Sequence, residues 1–416
     1  MCKINSKNRK KIEDCYRDLQ HYYLHKVNKE LDFDDKPFTN LLDLLYPVLI
    51  KHPFYSNDFF VSAVELYLRK KETVEEDLDD LILYIEDHFN VNKDEHFLIF
   101  PLQGSGLKKD VSFDKFHLLT QKDEQQILKQ ISDIIKIDYV EVKSSLEHTR
   151  KSRSKHFLES NMMIIKVENQ TENVNRLAYQ LAQFSVDIFK LIHSAFGMES
   201  SIFRLAQVWE EENSHVAILA KDGWRRGHGF SWNAHLKCKI DIDFIADEKY
   251  QKIFCLLFNA VTKKEPDELT DKFVNALILF GKATVQRSEH NDVDLALLLY
   301  ITALESLLTE GFNEKRLRLS AIVPRLINYE GRSIFEIAEP LEKLYLSRNN
   351  FLHAGQSSYF SRRDDDMDFL ERVSALVILK CFELDFTIQN GNEKRTTTWT
   401  NYVDSIFKDL IFGKTI

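Results

Sequence analysis

The chain has 416 residues, 44% of them hydrophobic, and a formal net charge of -9. That length suits two or three domains rather than one core, and the apolar content excludes a disordered chain. The negative balance excludes a polycationic nucleic-acid coat, so any contact with RNA must come from a local basic patch.

The 5 cysteines, Cys2, Cys15, Cys238, Cys255 and Cys381, are scattered without a C-x-x-C pair. They point to a reducing, cytoplasmic setting and away from a disulfide framework or a structural zinc. The N-terminal segment is charged throughout and no long uninterrupted apolar run occurs, so neither a signal peptide nor a membrane span is expected.

Residues 1–92 read as a helical region, with apolar residues three and four apart between charged ones. His21 and His25 stand at i and i+4, a spacing that can ligate a metal. No third ligand is near in sequence, so the expectation is a surface pair and no metal.

Residues 93–262 read as an α/β or α+β middle domain. HFLIFPLQG, KFHLLT, MMIIKVE, HVAILAKDG and KCKIDIDFI are short β-type runs. KDEQQILKQISDIIK and NVNRLAYQLAQFSVDIFKLIHSAF read as helices between them. Two passages here carry basic groups. HTRKSRSKH gathers Arg150, Lys151, Arg153 and Lys155, which can hold a phosphate backbone or form a solvated loop. KDGWRRGHGFSW places Trp224, Arg225, Arg226 and His228 among glycines, suiting either base stacking with phosphate binding or a glycine-rich hairpin between two strands. No Walker-type phosphate loop is present, and no cofactor is expected.

Residues 263–391 read as an up-and-down helical bundle, making the chain mainly α overall. DLALLLYITALESLL is apolar almost all round, the mark of a central helix. Asp292 and the carboxylates at 364–366 fall where helix N-termini favour negative charge. Residues 392–416 read as a linker and a short helix. Whether that helix packs on its own bundle or on a second protomer is left open by the sequence.

The passage LYLSRNNFLHAG, residues 344–355, places Arg348 and His353 five apart near the end of a long helix, with Gly355 as a helix stop. Arg348 can also pair with Glu305 or Glu342 inside the bundle, and His353 can merely cap a helix end. Glu305, in a helix with few other polar residues, suits an anchor for Arg348 or Arg316. Tyr345 shares the face of Arg348 and suits either core packing or base stacking.

ALESLL (303–308), EKRLRLS (314–320), LYLSRNNFLHAG and the long last helix together make residues 265–390 resemble the HEPN superfamily, within it the Apea-like HEPN domains. The resemblance implies an all-α HEPN bundle that often dimerises, with Arg-x4-6-His motifs of two protomers facing one cleft. It further implies a metal-independent endoribonuclease, commonly a toxin or an anti-phage effector, with a phage-derived trigger or an antitoxin as possible partners. Asn349 fits the polar position after the arginine.

The chemistry also follows from the residue types. RNA can be cut by its own 2′-OH, so no protein nucleophile or metal is compulsory. Histidine moves protons near neutral pH, and arginine offers a permanently charged fork for phosphate oxygens. Asn349, four before His353, suits orienting the imidazole or bonding a phosphate. Residues five apart diverge by about 140° around a helix, which favours a site shared by a two-fold dimer. The expectation is an RNA-cleaving homodimer using Arg348, His353 and Asn349. The alternative is a non-catalytic HEPN scaffold that binds RNA or protein.

Overall fold

The computed structural model describes residues 6–26, 35–49, 57–69, 78–91, 94–102, 106–144, 161–169, 171–197, 214–220, 230–232, 242–262, 268–288, 290–309, 314–355, 364–390 and 399–411. The basic passage with Arg150, Lys151, Arg153 and Lys155 lies outside the described residues, as do Trp224, Arg225, Arg226 and His228. The chain divides into two compact units. The first takes residues 1–101, 115–181 and 213–234, the second 102–114, 182–212 and 235–416.

In the first unit, α1 (Ser6–His25), α2 (Lys36–Leu49), α3 (Asn57–Arg69) and α4 (Leu78–Val91) are the helices expected at the N-terminus. Their apolar stripes close over a core that includes Ile12, Tyr16, Leu19, Phe38, Leu41, Leu45, Val64 and Leu81. Burying such a stripe stabilises short helices that would be marginal alone. His21 and His25 are both exposed on α1.

The strands β1 (Asp94–Leu102), β2 (Val111–Phe113), β3 (Phe116–Leu119), β4 (Asn161–Asn169), β5 (Ser214–Ala220) and β6 (Phe230–Trp232) follow, with α5 (Glu124–Ile135) and a helical segment over 139–144 (α6) between β3 and β4. In the first unit the strand order is β3-β4-β1-β5-β6. The β3–β4, β1–β5 and β5–β6 pairs are antiparallel, with Phe116 opposite Ile165, Phe97 opposite Leu219 and Ser214 opposite Trp232. These antiparallel pairs resolve the open alternative for the middle of the chain towards α+β. Phe97 to Phe100 and Met162 to Ile165 are all buried, so β1 and β4 are covered on both faces. Ile127, Leu128, Ile131 and Ile135 of α5 pack on one face against Phe97, Ile99, Met162 and Ile164. Asp123 caps α5 by accepting from the Gln126 amide.

The strand expected at KCKIDIDFI, residues 237–245, lies outside the described residues up to 241, and only its end is corrected. The described end of KCKIDIDFI is a 3-10 turn, Asp243–Ala246. Ile242 and Ile245 are both fully buried, and their spacing of three fits the 3-10 period rather than a strand's two.

Among its described residues the second unit is mainly helical and holds the second half of α7 (Thr171–Ala195), then α8 (Glu248–Val261), α9 (Glu268–Ser288), α10 (Val293–Leu308), α11 (Lys315–Leu326), α12 (Ile334–Ala354), α13 (Asp364–Asn390) and α14 (Trp399–Ile411). The sequence placed the α8 segment with the middle domain; in the structure it falls with the C-terminal helices. The apolar α10 is central, contacting α9, α11, α12 and α13. Asp292 caps it by accepting from the Leu295 amide.

Two buried polar features brace this unit. Glu371 on α13 accepts from Ser194 of α7, Arg287 of α9 and Tyr300 of α10, at 2.7, 2.9 and 2.9 Å. Asp187 on α7 is buried against Gly281 of α9, where a Cβ would meet its carboxylate at 2.2 Å. Only glycine lets that carboxylate lie so close to the facing helix. Burial pushes Asp187 up to about 7, although the charges of Lys190 and Lys282 and the Gln183 amide at 2.9 Å act the other way.

The C-terminal helix α14 packs on its own bundle, which answers the question left by the sequence. Trp399 is buried and its indole Nε1 donates to the Leu307 carbonyl, 2.8 Å away at the end of α10. The last carbonyls of a helix lack intrahelical donors, so the indole satisfies one of them. Asp404 accepts from the buried Arg318 at 2.8 Å, and Phe407 lies under the same guanidinium. Among the described residues, no helix is long and apolar enough to cross a membrane.

Candidate active site

The site is built at the end of α12, the helix carrying LYLSRNNFLHA. Ser333 starts this helix with a capping box. Its hydroxyl accepts from the Glu336 amide, and the Glu336 carboxylate accepts from the Ser333 amide. The helix ends at Gly355, whose φ of 61° is the left-handed conformation suited to glycine. Between these points Ile337, Leu341, Leu344 and Tyr345 face the core.

Arg348 turns inward. Its Nη2 donates to Glu305 Oε2 at 3.2 Å, and its Nη1 donates to Asn349 Oδ1 at 2.9 Å. Its side chain is only 15% exposed, and among the described residues its buried Nε has no hydrogen-bond partner. Glu305, on α10, is buried, and Tyr345 holds its other oxygen by donating its hydroxyl at 2.8 Å. The Tyr345 ring also lies 5.6 Å from the Arg348 guanidinium carbon. Burial and the bond to Glu305 push Tyr345 up to about 12, so it stays a phenol and a donor. Of the two carboxylates weighed for Arg348, Glu305 is the partner; Glu342 instead faces Arg316, at 3.5 Å.

His353 turns outward. It is exposed on the last turn of α12, with Leu346 and Leu352, themselves 41% and 44% exposed, on the same part of the helix. Arg348 and His353 therefore point apart within one chain, as their spacing requires, and lie about 7.5 Å apart along the axis. Asn349 is engaged by Arg348, not by His353.

A further cation belongs to this cluster. Lys315, the first residue of α11, brings its Nζ to 3.8 Å from the Glu305 oxygen that Arg348 also uses. In the sequence Lys315 is one basic letter of EKRLRLS, and nothing there ties it to Glu305. Among the described residues no group of three His, Cys, Asp or Glu side chains could hold a metal ion.

No family model matches the chain, and neither a curated protein nor a solved structure matches it.

Proposed function

We propose that the chain is an endoribonuclease of HEPN type, active as a homodimer in which the α12 ends of two copies share one RNA. The observation that carries this reading is His353, which stands exposed at the end of α12 while Arg348 is fixed one and a half turns earlier. The first is free to meet a substrate proton; the second is pre-oriented beside a possible phosphate position.

In this reaction one His353 takes the proton of a ribose 2′-OH. The 2′ oxygen forms a bond to the adjacent phosphorus, the bond from phosphorus to the 5′ oxygen breaks, and that oxygen takes a proton from the protonated His353 of the second copy. The products are a 2′,3′-cyclic phosphate and a 5′-OH end. Arg348 stabilises the extra negative charge on the phosphate. Because the two side chains of one copy diverge, His353 of one protomer would act with Arg348 of its partner. The exposed Leu346 and Leu352 suit contact with a second copy. The wider role, a toxin or anti-phage effector answering a phage-derived trigger or an antitoxin, rests on the resemblance alone.

A second reading is favoured by the bond between Arg348 and Glu305. An arginine held by a buried carboxylate suits a non-catalytic scaffold that binds RNA or protein. One experiment separates the two. The purified chain and its His353→Ala variant are incubated with RNA in EDTA, and product ends are mapped. The ribonuclease reading expects cyclic-phosphate ends from the parent and a loss of about 100-fold or more in the variant. Equal cleavage by both proteins would remove His353 from the site, and no cleavage by the parent would favour the scaffold.

A further inference from the structure

We propose that Lys315 is a phosphate-binding residue of this site, taking a phosphodiester of single-stranded RNA together with Arg348. The proposal rests on the ribonuclease reading above and deepens it.

Glu305 is surrounded by more positive charge than it can satisfy. One of its oxygens is taken by the Tyr345 hydroxyl at 2.8 Å. The other is shared by Arg348 at 3.2 Å and Lys315 at 3.8 Å. Both separations exceed the roughly 2.7–2.9 Å of a charge-assisted hydrogen bond. Two cations facing one carboxylate leave a net charge of about +1 at the cluster. Lys315 is 41% exposed, so its flexible stem can carry the ammonium to an anion without unfolding α11. Among the described residues the buried Arg348 Nε has no acceptor.

The start of α11 carries two basic residues directly after its acidic N-cap, Glu314. Helix N-termini favour acidic side chains, because the partial charge there is positive. Here the first turn has no acidic residue and begins Lys315, Arg316, and the Glu314 side chain makes no capping hydrogen bond. Lys315 and Arg316 thus stand beside the helix N-terminus, whose partial charge is also positive. A phosphodiester would balance the second cation at Glu305. It would accept from Lys315 and Arg348 in place of Glu305. Arg316 is partly satisfied by Glu342 at 3.5 Å and is the weaker candidate.

The test measures binding without cleavage. A fluorescent single-stranded RNA is titrated with the full-length His353→Ala protein at several KCl concentrations. Adding Lys315→Ala should weaken binding about 10-fold and lower the slope of log affinity against log salt by about 0.7, as for one lost phosphate contact on a single strand. Lys315→Arg should keep most of the affinity. Lys343→Ala removes the same charge from the exposed face of α12, where Lys343 pairs with Glu339, and should leave the slope unchanged. Thermal unfolding of each variant checks that it is folded. Unchanged affinity and slope in Lys315→Ala would overturn the proposal, as would an equal effect of Lys343→Ala. If the parent binds no RNA, the proposal fails, while cleavage in EDTA still judges the ribonuclease reading by itself.

Discussion

Arg348 and Glu305 meet across 43 positions of sequence, tying the end of α12 to the central helix α10 at 3.2 Å. The pair is largely buried, so removing one partner leaves the other charge poorly solvated. Arg348→Ala should destabilise the chain by about 2–3 kcal/mol, measured by urea unfolding. His353→Ala touches an exposed side chain and should change stability by less than about 0.5 kcal/mol. Equal losses in the two variants would contradict the inward and outward placement of the motif.

Trp399 serves α10 in two ways, by filling an apolar site and by donating to the Leu307 carbonyl. Trp399→Ala should cost about 3–5 kcal/mol through the cavity it leaves. Trp399→Phe keeps most of the apolar volume and loses the donor, so about 1–2 kcal/mol is expected. Calorimetric unfolding of the full chain would show both; a phenylalanine variant as unstable as the alanine one would make the indole bond the dominant contribution.

Asp187 makes stability depend on pH with a defined sign. Burial raises it from 3.8 to about 7 in the folded chain, so the folded state binds this proton more tightly than the unfolded state does. Its contribution is fully present below 3.8 and is lost as pH rises to about 7, a change of at most about 4 kcal/mol. Asp187→Asn removes that titration. The variant should therefore gain on the parent as pH rises from 3.8 to about 7 in urea unfolding. A constant difference between the two proteins across that window would show that Asp187 is ionised throughout.

Gly355 ends α12 at φ 61°, and among the described residues no atom lies within 4 Å of a Cβ position there. Space is therefore not the constraint, and backbone conformation is. Gly355→Ala should cost about 1 kcal/mol, and Gly355→Asn less, since asparagine tolerates the left-handed region. Amide exchange of residues 350–354 should accelerate more in the alanine variant. If the two variants behave alike, the cap conformation is not what holds the end of the helix.

Local patterns carried much of this architecture. The N-terminal helices, the strands at 94–102, 116–119 and 161–169 and the central position of α10 follow from periodicity and apolar content. The divergence of Arg348 from His353 follows from helical geometry alone. What pairs across long separations was not legible. Glu305 and Glu342 were equal candidates for Arg348, because only tertiary placement sends Glu342 to Arg316 and Glu305 inward. Lys315 joined the site unannounced for the same reason. The 3-10 turn at 243–246 is hidden in the sequence because the letters around it alternate like a strand, while the burial of Ile242 and Ile245 has a spacing of three. The antiparallel sense of the sheet was equally invisible in short runs of similar composition.

The hydrogen bond from Trp399 to Leu307 spans 92 positions of sequence. On the ribosome, α10 emerges well before the residue that covers its end. At about 5–20 residues per second, that gap amounts to several seconds of synthesis. During that interval the helices through α13 can assemble, but the Leu307 carbonyl and the pocket for the indole face solvent. Completion of the bundle is thereby timed by translation. A nascent chain stalled before residue 399 would hold the Arg348 motif on an unfinished support.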